Sequence, residues 1–376
     1  MSAMVYRVVV LICVACIASC NRSSPPAPEP VGDGVPLERQ VVVYVSTDES
    51  IARPILESFS KSTGITVLAR YDSENSKATA LAAMIRLERD APRADVFWSG
   101  ECFVAAQLAQ EFLVDPWRSR RADQLPANLR GASGRWYGLA PRVRVLVYDP
   151  ARTAAADLPK SMLELVEPKW KGQIAFADPR FGTTRGHIGA FARLVESDHA
   201  GGWSAWVRGM ADNDPLILPG GNAAVVDAVA RGEAAIGLTD TDDVYGSVAG
   251  GSALKLVALR QLPSTSGAGP MVIPASVALV ADAPHPSEAN ELLSFLLSPQ
   301  VSQWMHESTQ GTLLEQDASL TTSNAPEGLP LRSTKCAEVL LERVDDPMEF
   351  DADELAAGID GAVAEFLAAC RRESRP

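Results

Sequence analysis

Residues 41–64 have the sequence VVVYVSTDESIARPILESFSKSTG, which indicates the fold class most clearly. Residues 41–45 predict a buried β-strand, because they form a short run of β-branched and aromatic side chains. A polar loop follows at residues 46–49. An amphipathic helix is then expected over residues 50–63, since Gly64 stands in the usual position of a helix C-cap. The order of strand, polar loop and helix indicates one unit of an α/β fold.

The same unit recurs along the chain, which predicts parallel β-α-β units. Ligands of such sheets bind beyond the carboxyl ends of the strands, so we expect Asp48, Glu49, Ser73 and Glu101 at one common edge. Further strands are expected at residues 65–70, 94–98, 142–148, 173–177, 234–238 and 276–281, and further helices at residues 76–90, directly after Glu101, and at residues 186–196, 223–231, 286–297 and 299–308.

Residues 1–19 have the pattern of a bacterial lipoprotein signal peptide. Arg7 is the only charged side chain before Cys20, and the apolar run that follows it is shorter than the roughly 20 residues that span a bilayer. Residues 17–20, IASC, resemble the lipobox, so we expect a lipid on Cys20; an ordinary signal peptide cut nearby is the alternative. Residues 20–38 are rich in proline and predict a flexible linker. The expected location is the periplasm or cell envelope, anchored at either membrane.

Composition bounds the class of protein. The remaining chain of about 340 residues is longer than one core usually holds, which favours two lobes. The formal net charge of -13 repels nucleic acid and anionic lipid, so nucleic acid is not an expected partner. Beyond the signal and Cys20, three cysteines remain. Cys336 and Cys370 are candidates for a disulfide in an oxidising compartment, with three unpaired thiols as the alternative.

Five stretches resemble the bacterial extracellular solute-binding proteins of ABC importers, and among them the ferric-iron-binding group. They are VYVSTDESIARPILESF at residues 43–59, RADVFWSGE at 93–101, RVRVLVY at 142–148, GNAAVVDAVARGEAAIGLTDTDDVY at 221–245 and PHPSEANELLSFLLSP at 284–299. The resemblance implies an α/β periplasmic-binding-protein fold of type II, with two lobes of mixed sheet and a hinge of crossing strands. It also implies a monomer that works with an ABC permease and its ATPase.

The resemblance also implies domain boundaries and a ligand site between the lobes. Lobe 1 would comprise residues 39–140 plus about 265–315, and lobe 2 residues 141–264 plus about 316–376 with the C-terminal helices. The ferric binders carry adjacent tyrosines where this chain has Asp242 and Asp243, and a first-loop histidine where it has Asp48 or Glu49. Carboxylates are hard ligands suited to Fe(III) and other hard cations. The expected metal ligands are Asp48, Glu49, Glu101, Asp240, Asp242, Asp243 and Tyr245.

Two alternatives remain open for the acidic loop. The aspartates could form a solvated turn that caps the next helix, or they could pair with Arg142, Arg144 or Arg185. Hydroxyl and amide side chains before predicted helices suggest an anion site, with simple N-caps as the alternative. The expected anion or ligand contacts are Arg142, Thr183, Thr184, Arg185 and Asn222.

These residues predict a lipid-anchored importer receptor for ferric iron or another hard metal ion, with a synergistic anion. The alternative ligand is an oxyanion or a phosphorylated organic molecule, such as a sugar phosphate or phosphonate. A secreted carboxylate-dependent hydrolase is a remote third reading, since the sequence contains no G-x-S-x-G elbow and no H-E-x-x-H motif. We therefore expect no enzyme activity and no catalytic cofactor.

Overall fold

The structure is a computed structural model that describes residues 39–72, 78–309, 344 and 346–370. The expected signal peptide and linker, Cys20, Ser73 and Cys336 lie outside these residues. Cys370, the expected partner of Cys336, is a half-buried free thiol.

Within the described residues, ten strands form one mixed sheet. They are β1 (Gln40–Val45), β2 (Thr66–Tyr71), β3 (Val96–Ser99), β4 (Val114–Asp115), β5 (Tyr137–Tyr148), β6 (Ile174–Ala177), β7 (Leu216–Leu218), β8 (Ile236–Asp240), β9 (Lys255–Ala258) and β10 (Val272–Val280).

The long strand β5 divides this sheet into two halves. Its first part, up to Val143, pairs antiparallel with β10, whereas its second part, from Arg144, pairs antiparallel with β8 and β9. The first half-sheet has the order β2-β1-β3-β10-β5, and the second half-sheet has the order β5-β8-β6-β7. β1 is parallel to β2 and β3, and β6 is parallel to β7 and β8, as the recurring β-α-β units predict.

Helices cover the sheet and connect the parallel strands. They are α1 (Glu49–Thr63), α2 (Thr79–Leu87), α3 (Phe103–Gln110), α4 (Arg120–Gln124), α5 (Gly182–Asp198), α6 (Gly202–Asp212), α7 (Gly221–Arg231), α8 (Thr241–Ala249), α9 (Pro286–Leu296), α10 (Pro299–Thr309), α11 (Ala352–Leu355) and α12 (Ile359–Cys370). Short 3₁₀ segments lie at Ala127–Leu129, Ala155–Asp157, Met162–Val166 and Pro168–Trp170. None of these helices has the length and apolar character needed to cross a membrane.

In the part of the chain that the structure describes, three apolar clusters hold the fold together. One cluster packs α1, α9 and α10 on the first half-sheet, and another packs α7 and α8 on the second. The largest cluster belongs to both halves, because it joins Phe103 of α3, Phe191 of α5 and Phe366 of α12.

The C-terminal segment, residues 346–370, contacts both halves of the molecule. Asp353 accepts hydrogen bonds from the Trp136 indole at 2.8 Å and from the backbone N–H of Ala132 at 3.0 Å, both before the division point of β5. α12 instead packs on α5 and α6 of the second half. The C-terminal segment therefore contacts both halves of the molecule. The lobe boundaries expected from the sequence stay a prediction.

The starts of α5 and α7 lie earlier in the chain than the sequence predicts. α5 begins at Gly182 rather than at residue 186, and α7 begins at Gly221 rather than at residue 223. Thr183, Thr184 and Asn222 therefore lie inside the first turns and not in the loops before them. α4, α6, β4, β7 and β9 were not predicted.

Candidate ligand-binding cleft

A cleft of about 320 Å³ opens where the carboxyl ends of strands from both half-sheets meet. This is the position at which α/β sheets bind ligands. Its walls are the loops that follow β1, β3, β6, β7 and β8, together with one side chain of β5. The polar lining residues are Ser46, Thr47, Asp48, Glu101, Arg142, Asp178, Arg180, Thr183, Thr184, Asn222, Asp240, Asp242 and Asp243.

Three carboxylates form a cluster on the second half-sheet. Asp240 is the last residue of β8, while Asp242 and Asp243 lie in the first turn of α8. One oxygen of each lies within 4.8 Å of the others. The positive end of the α8 dipole favours negative charge here, but three carboxylates so close together also need cationic partners. We call these three residues the carboxylate cluster.

Asp240 is firmly held by protein groups. Its Oδ1 accepts a hydrogen bond from Arg144 at 2.7 Å, and its Oδ2 accepts from the Thr183 hydroxyl at 2.6 Å and the Asn222 amide at 2.8 Å. Burial would raise the pKa of Asp240, but the charges of Arg144 and Arg142 and these hydrogen bonds outweigh it, so the pKa lies below its ordinary value. Asp240 is therefore ionised, and a metal would compete with three existing donors for it.

Arg144 is the buried partner of this aspartate. Only 1% of its side chain is exposed, and all three of its nitrogens donate hydrogen bonds. Its Nε donates to Nδ1 of His187 at 3.4 Å, and Nε2 of His187 lies 2.6 Å from Oε1 of Gln261. Burial, together with the Arg144 charge, lowers the pKa of His187 to about 3. His187 is therefore a neutral support behind the cleft.

Arg142 also faces the carboxylate cluster, from the strand β5 that both half-sheets share. Its Nη2 donates to the backbone oxygen of Gly100, in the loop after β3. Its Nε lies 3.6 Å from Oδ2 of Asp240 and 3.5 Å from Oδ2 of Asp242. Desolvation lowers the pKa of Arg142, but the net shift is upward because four carboxylates surround it, namely Asp242, Asp240, Asp48 and Asp243.

Glu101 lies two residues before α3 and is 2% exposed. Its carboxylate accepts hydrogen bonds from the backbone N–H groups of Phe103 at 2.5 Å and Val104 at 3.1 Å. Burial raises the pKa of Glu101, although the Arg185 charge and these two bonds oppose the shift. Glu101 thus caps α3 from inside the cleft wall.

The first turns of α5 and α7 present a second kind of binding surface. Thr183 and Thr184 lie in the first turn of α5, and Asn222 lies in that of α7. Their side chains are already bonded to Asp240, to Arg144 or to each other. The backbone N–H groups of these first turns have no acceptor within their own helix, so they are the groups that a ligand could bind.

Three expected ligand residues do not line the cleft. Glu49 lies on the surface of α1, where it pairs with Arg53 one turn along. Tyr245 lies on α8 and is only 4% exposed, and it is not part of the cleft lining. Arg185 points the other way, toward Asp360 of α12 at 2.6 Å. Conversely, Asp178 and Arg180 line the cleft although they were not selected. They lie in the loop after β6, so the expectation that ligands bind beyond the carboxyl ends of strands would have identified them.

Comparison with known proteins defines the class. Residues 41–308 match the model of a family described as bacterial extracellular solute-binding protein. The chain belongs to this family, which confirms the resemblance. The family places the chain among solute-binding proteins rather than enzymes, so the hypothesis of a secreted hydrolase is wrong.

One curated relative is the Fe(3+)-binding periplasmic protein of Serratia marcescens, 30% identical over 196 residues, which are 52% of this chain and 55% of the relative. The chain therefore matches about half the length of this relative. Among solved structures, iron-bound HitA from Pseudomonas aeruginosa aligns with a TM-score of 0.71 at 22% identity, over 88% of this chain and 99% of HitA. This likeness confirms the expected fold class.

A second solved structure is AfuA from Actinobacillus pleuropneumoniae with fructose-6-phosphate bound. It aligns with a TM-score of 0.68 at 16% identity, over 90% of this chain and all of AfuA. At this identity the likeness concerns the fold alone. The two solved structures therefore share one architecture and differ in the ligand that their descriptions give.

Proposed function

We propose that this chain is the substrate-binding receptor of an ABC importer and that its cargo is ferric iron or another hard metal cation. The cation would bind in the cleft at the carboxylate cluster, with Asp48 from the opposite wall. An accompanying anion would bind at the first turns of α5 and α7. The partners would be a membrane permease and its ATPase.

The charge balance of the cleft carries the proposal. Among the residues that the structure describes, six carboxylates line it, whereas Arg142 and Arg180 bring guanidinium groups to its wall and Arg144 is buried next to Asp240. This excess of negative charge attracts a cation and repels a free anion. Carboxylate oxygens are also the ligands that hard cations prefer. The volume of about 320 Å³ leaves room for a co-ligand beside a single metal ion.

The relatives support the same cargo. The Serratia marcescens relative is named an Fe(3+)-binding protein, and HitA is described as iron-bound. Among the described residues that line the cleft, however, none is a tyrosine. Iron bound here would therefore lack the visible colour of an iron–phenolate complex.

Location and anchoring belong to the proposal as well. The Serratia marcescens relative is named a periplasmic protein, and residues 1–38 have the pattern of a lipoprotein signal followed by a linker. A lipid on Cys20 would hold the receptor near its permease at a local concentration set by the linker. Mass spectrometry of the protein from membranes tests the lipid on Cys20, and an unmodified Cys20 would contradict it.

The decisive experiment measures metal in the protein itself. Elemental analysis follows purification without chelator, and calorimetry follows with Fe(III) supplied as a weak chelate, Mn(II) and Ca(II), each with and without carbonate. We expect stoichiometric binding of at least one cation and stronger binding with the anion. If none of these ions binds, the metal proposal is wrong.

A phosphorylated organic ligand is the second candidate. The fold likeness to fructose-6-phosphate-bound AfuA and the two helix N-termini in the cleft favour it. A bound ligand raises the melting temperature, so thermal-shift measurements with fructose 6-phosphate and inorganic phosphate, in metal-free buffer, separate the two candidates. A shift that needs no metal would favour the organic anion.

A further inference from the structure

We propose that Arg142 is a resident counter-cation of the carboxylate cluster, which competes with an incoming metal cation and so limits how tightly the cleft binds its cargo. This inference rests on the proposed function, because it assigns a role in cation binding. It identifies an affinity-setting residue that is not itself a ligand of the cargo.

The two arginines of β5 differ in how the protein holds them. Arg144 donates from all three guanidinium nitrogens and is held by five side chains, which are those of Asp240, Thr183, Thr184, Asn222 and His187. Arg142 donates one hydrogen bond, from Nη2 to the backbone of Gly100. Its Nε is buried and makes no hydrogen bond, although carboxylate oxygens of Asp240 and Asp242 lie 3.6 and 3.5 Å away. Arg144 is therefore a fixed structural cation, whereas Arg142 is held mainly by charge.

The position of Arg142 is the second argument. Its Nε lies between Asp240 and Asp242, 3.6 and 3.5 Å from an oxygen of each. A metal bound by the carboxylate cluster would come within a few ångströms of this guanidinium. Since the Arg142 side chain is only 14% exposed, water screens that repulsion poorly.

The charge of the cargo gives the proposal a quantitative signature. The repulsion between a fixed positive charge and a metal ion is proportional to the charge of the ion. Removing Arg142 should therefore change the logarithm of the affinity about 1.5 times more for a trivalent ion than for a divalent one. If the affinity for a divalent ion rises about tenfold, the affinity for a trivalent ion should rise about thirtyfold.

Calorimetry at low ionic strength tests the signature on the full-length protein. The probes are Ca(II) as the divalent ion and Tb(III) as a trivalent ion without redox chemistry. The variants are Arg142→Met, which removes the charge, and Arg142→Lys, which keeps it. Arg231→Met is the matched control, because Arg231 is exposed at the end of α7 and pairs with Glu233 outside the cleft.

We expect Arg142→Met to bind both ions more tightly, with the larger gain for Tb(III). Arg142→Lys should gain less than Arg142→Met for both ions, because it keeps the positive charge in the cleft. Arg231→Met should stay within about threefold of the wild type. If Arg142→Met does not fold, Arg142→Gln replaces it, since its amide remains a donor toward Gly100.

Equal or weaker binding by the charge-neutral variant would overturn the inference while leaving the proposed function intact. If Arg142→Met binds the cations more weakly only when carbonate is present, Arg142 would be a contact of the anion instead, and the inference would again be overturned. If neither ion binds to the wild type or to any variant, the proposed function fails and the inference falls with it.

Discussion

Asp242 lies in the first turn of α8 with one oxygen 3.5 Å from Arg142, and it belongs to the carboxylate cluster. Because Asp240 already accepts three hydrogen bonds, we expect Asp242 to contribute more to cation binding. Asp242→Asn should weaken binding of a hard cation by about tenfold or more, since it removes one negative charge at close range. Calorimetry measures the change.

Asp227→Asn is the control for this substitution, because Asp227 lies exposed on α7 and does not line the cleft. The control removes the same formal charge. Equal losses in the two variants would mean that only the overall charge of the protein matters, and Asp242 would then not be a ligand.

His187 predicts a pH dependence of stability. Its folded-state pKa of about 3 lies below the ordinary value of 6.5, so below pH 6.5 the unfolded chain binds a proton that the folded chain does not. Stability contributed by neutral His187 is complete above pH 6.5 and is lost as the pH falls toward 3. Between pH 7 and pH 5 we expect a loss of about 2 kcal/mol in the free energy of unfolding.

Urea denaturation at pH 7, 6 and 5 measures this loss. His187→Gln should flatten the profile, whatever its effect on stability at pH 7, whereas exposed His199→Gln should keep the wild-type slope. A variant at position 187 with an unchanged slope would show that another group titrates in this range.

Single residues also show how far sequence reasoning reaches. Their position just after predicted strands was sufficient to place Asp48, Glu101 and Asp242 at the cleft, because the local sequence pattern shows where each strand of a parallel sheet ends. It was insufficient for Arg185, whose partner Asp360 lies 175 positions away. It also failed for Glu49, where the start of α1 places Arg53 four residues along the same helix face.

Among the elements, the contact between α3 and α5 joins the two halves of the molecule at close range. A Cβ placed on Gly186 would overlap the ring of Phe103. Gly186→Ala should therefore destabilise the protein by about 1–3 kcal/mol, since neither helix can move without disturbing the shared core. Thermal or urea denaturation measures the loss.

Gly361→Ala on α12 is the control, because a Cβ there meets no atom within 4 Å. It should be neutral or stabilising by up to about 1 kcal/mol. Adding Phe103→Leu to Gly186→Ala should recover part of the loss. If Gly186→Ala is as stable as the wild type, the close packing of α3 on α5 is wrong.

Element boundaries were predictable where apolar periodicity was strong, as in α1 and α9. The start of α5 was missed because Gly182, with a φ of 57°, precedes polar threonines that are equally common in loops. β7 has only three residues, none of them buried, so no alternation could reveal it.

At the scale of the whole molecule, α12 closes the largest core. Phe366 is fully buried and stacks on Trp206 with ring centroids 5.7 Å apart, and it also contacts Phe176. Phe366→Ala should lower the free energy of unfolding by about 3–5 kcal/mol through the cavity that it leaves. Exposed Ala368→Ser, on the same helix, should change it by about 0.5 kcal/mol or less.

Differential scanning calorimetry would check both variants. A small effect of Phe366→Ala would mean that α12 contributes little to the core. Sequence reasoning could identify this helix from its apolar pattern but not its packing site, because its contacts with α5 and α6 join distant parts of the chain.

The absence of tyrosine from the described cleft lining has a consequence for electron transfer. Phenolate oxygens stabilise Fe(III) strongly over Fe(II), whereas carboxylate oxygens do so less. Iron held in this cleft should therefore have a higher reduction potential than phenolate-bound iron. A mild reductant would convert it to Fe(II), which carboxylates hold more weakly, so unloading of this receptor would depend on the electron supply around it.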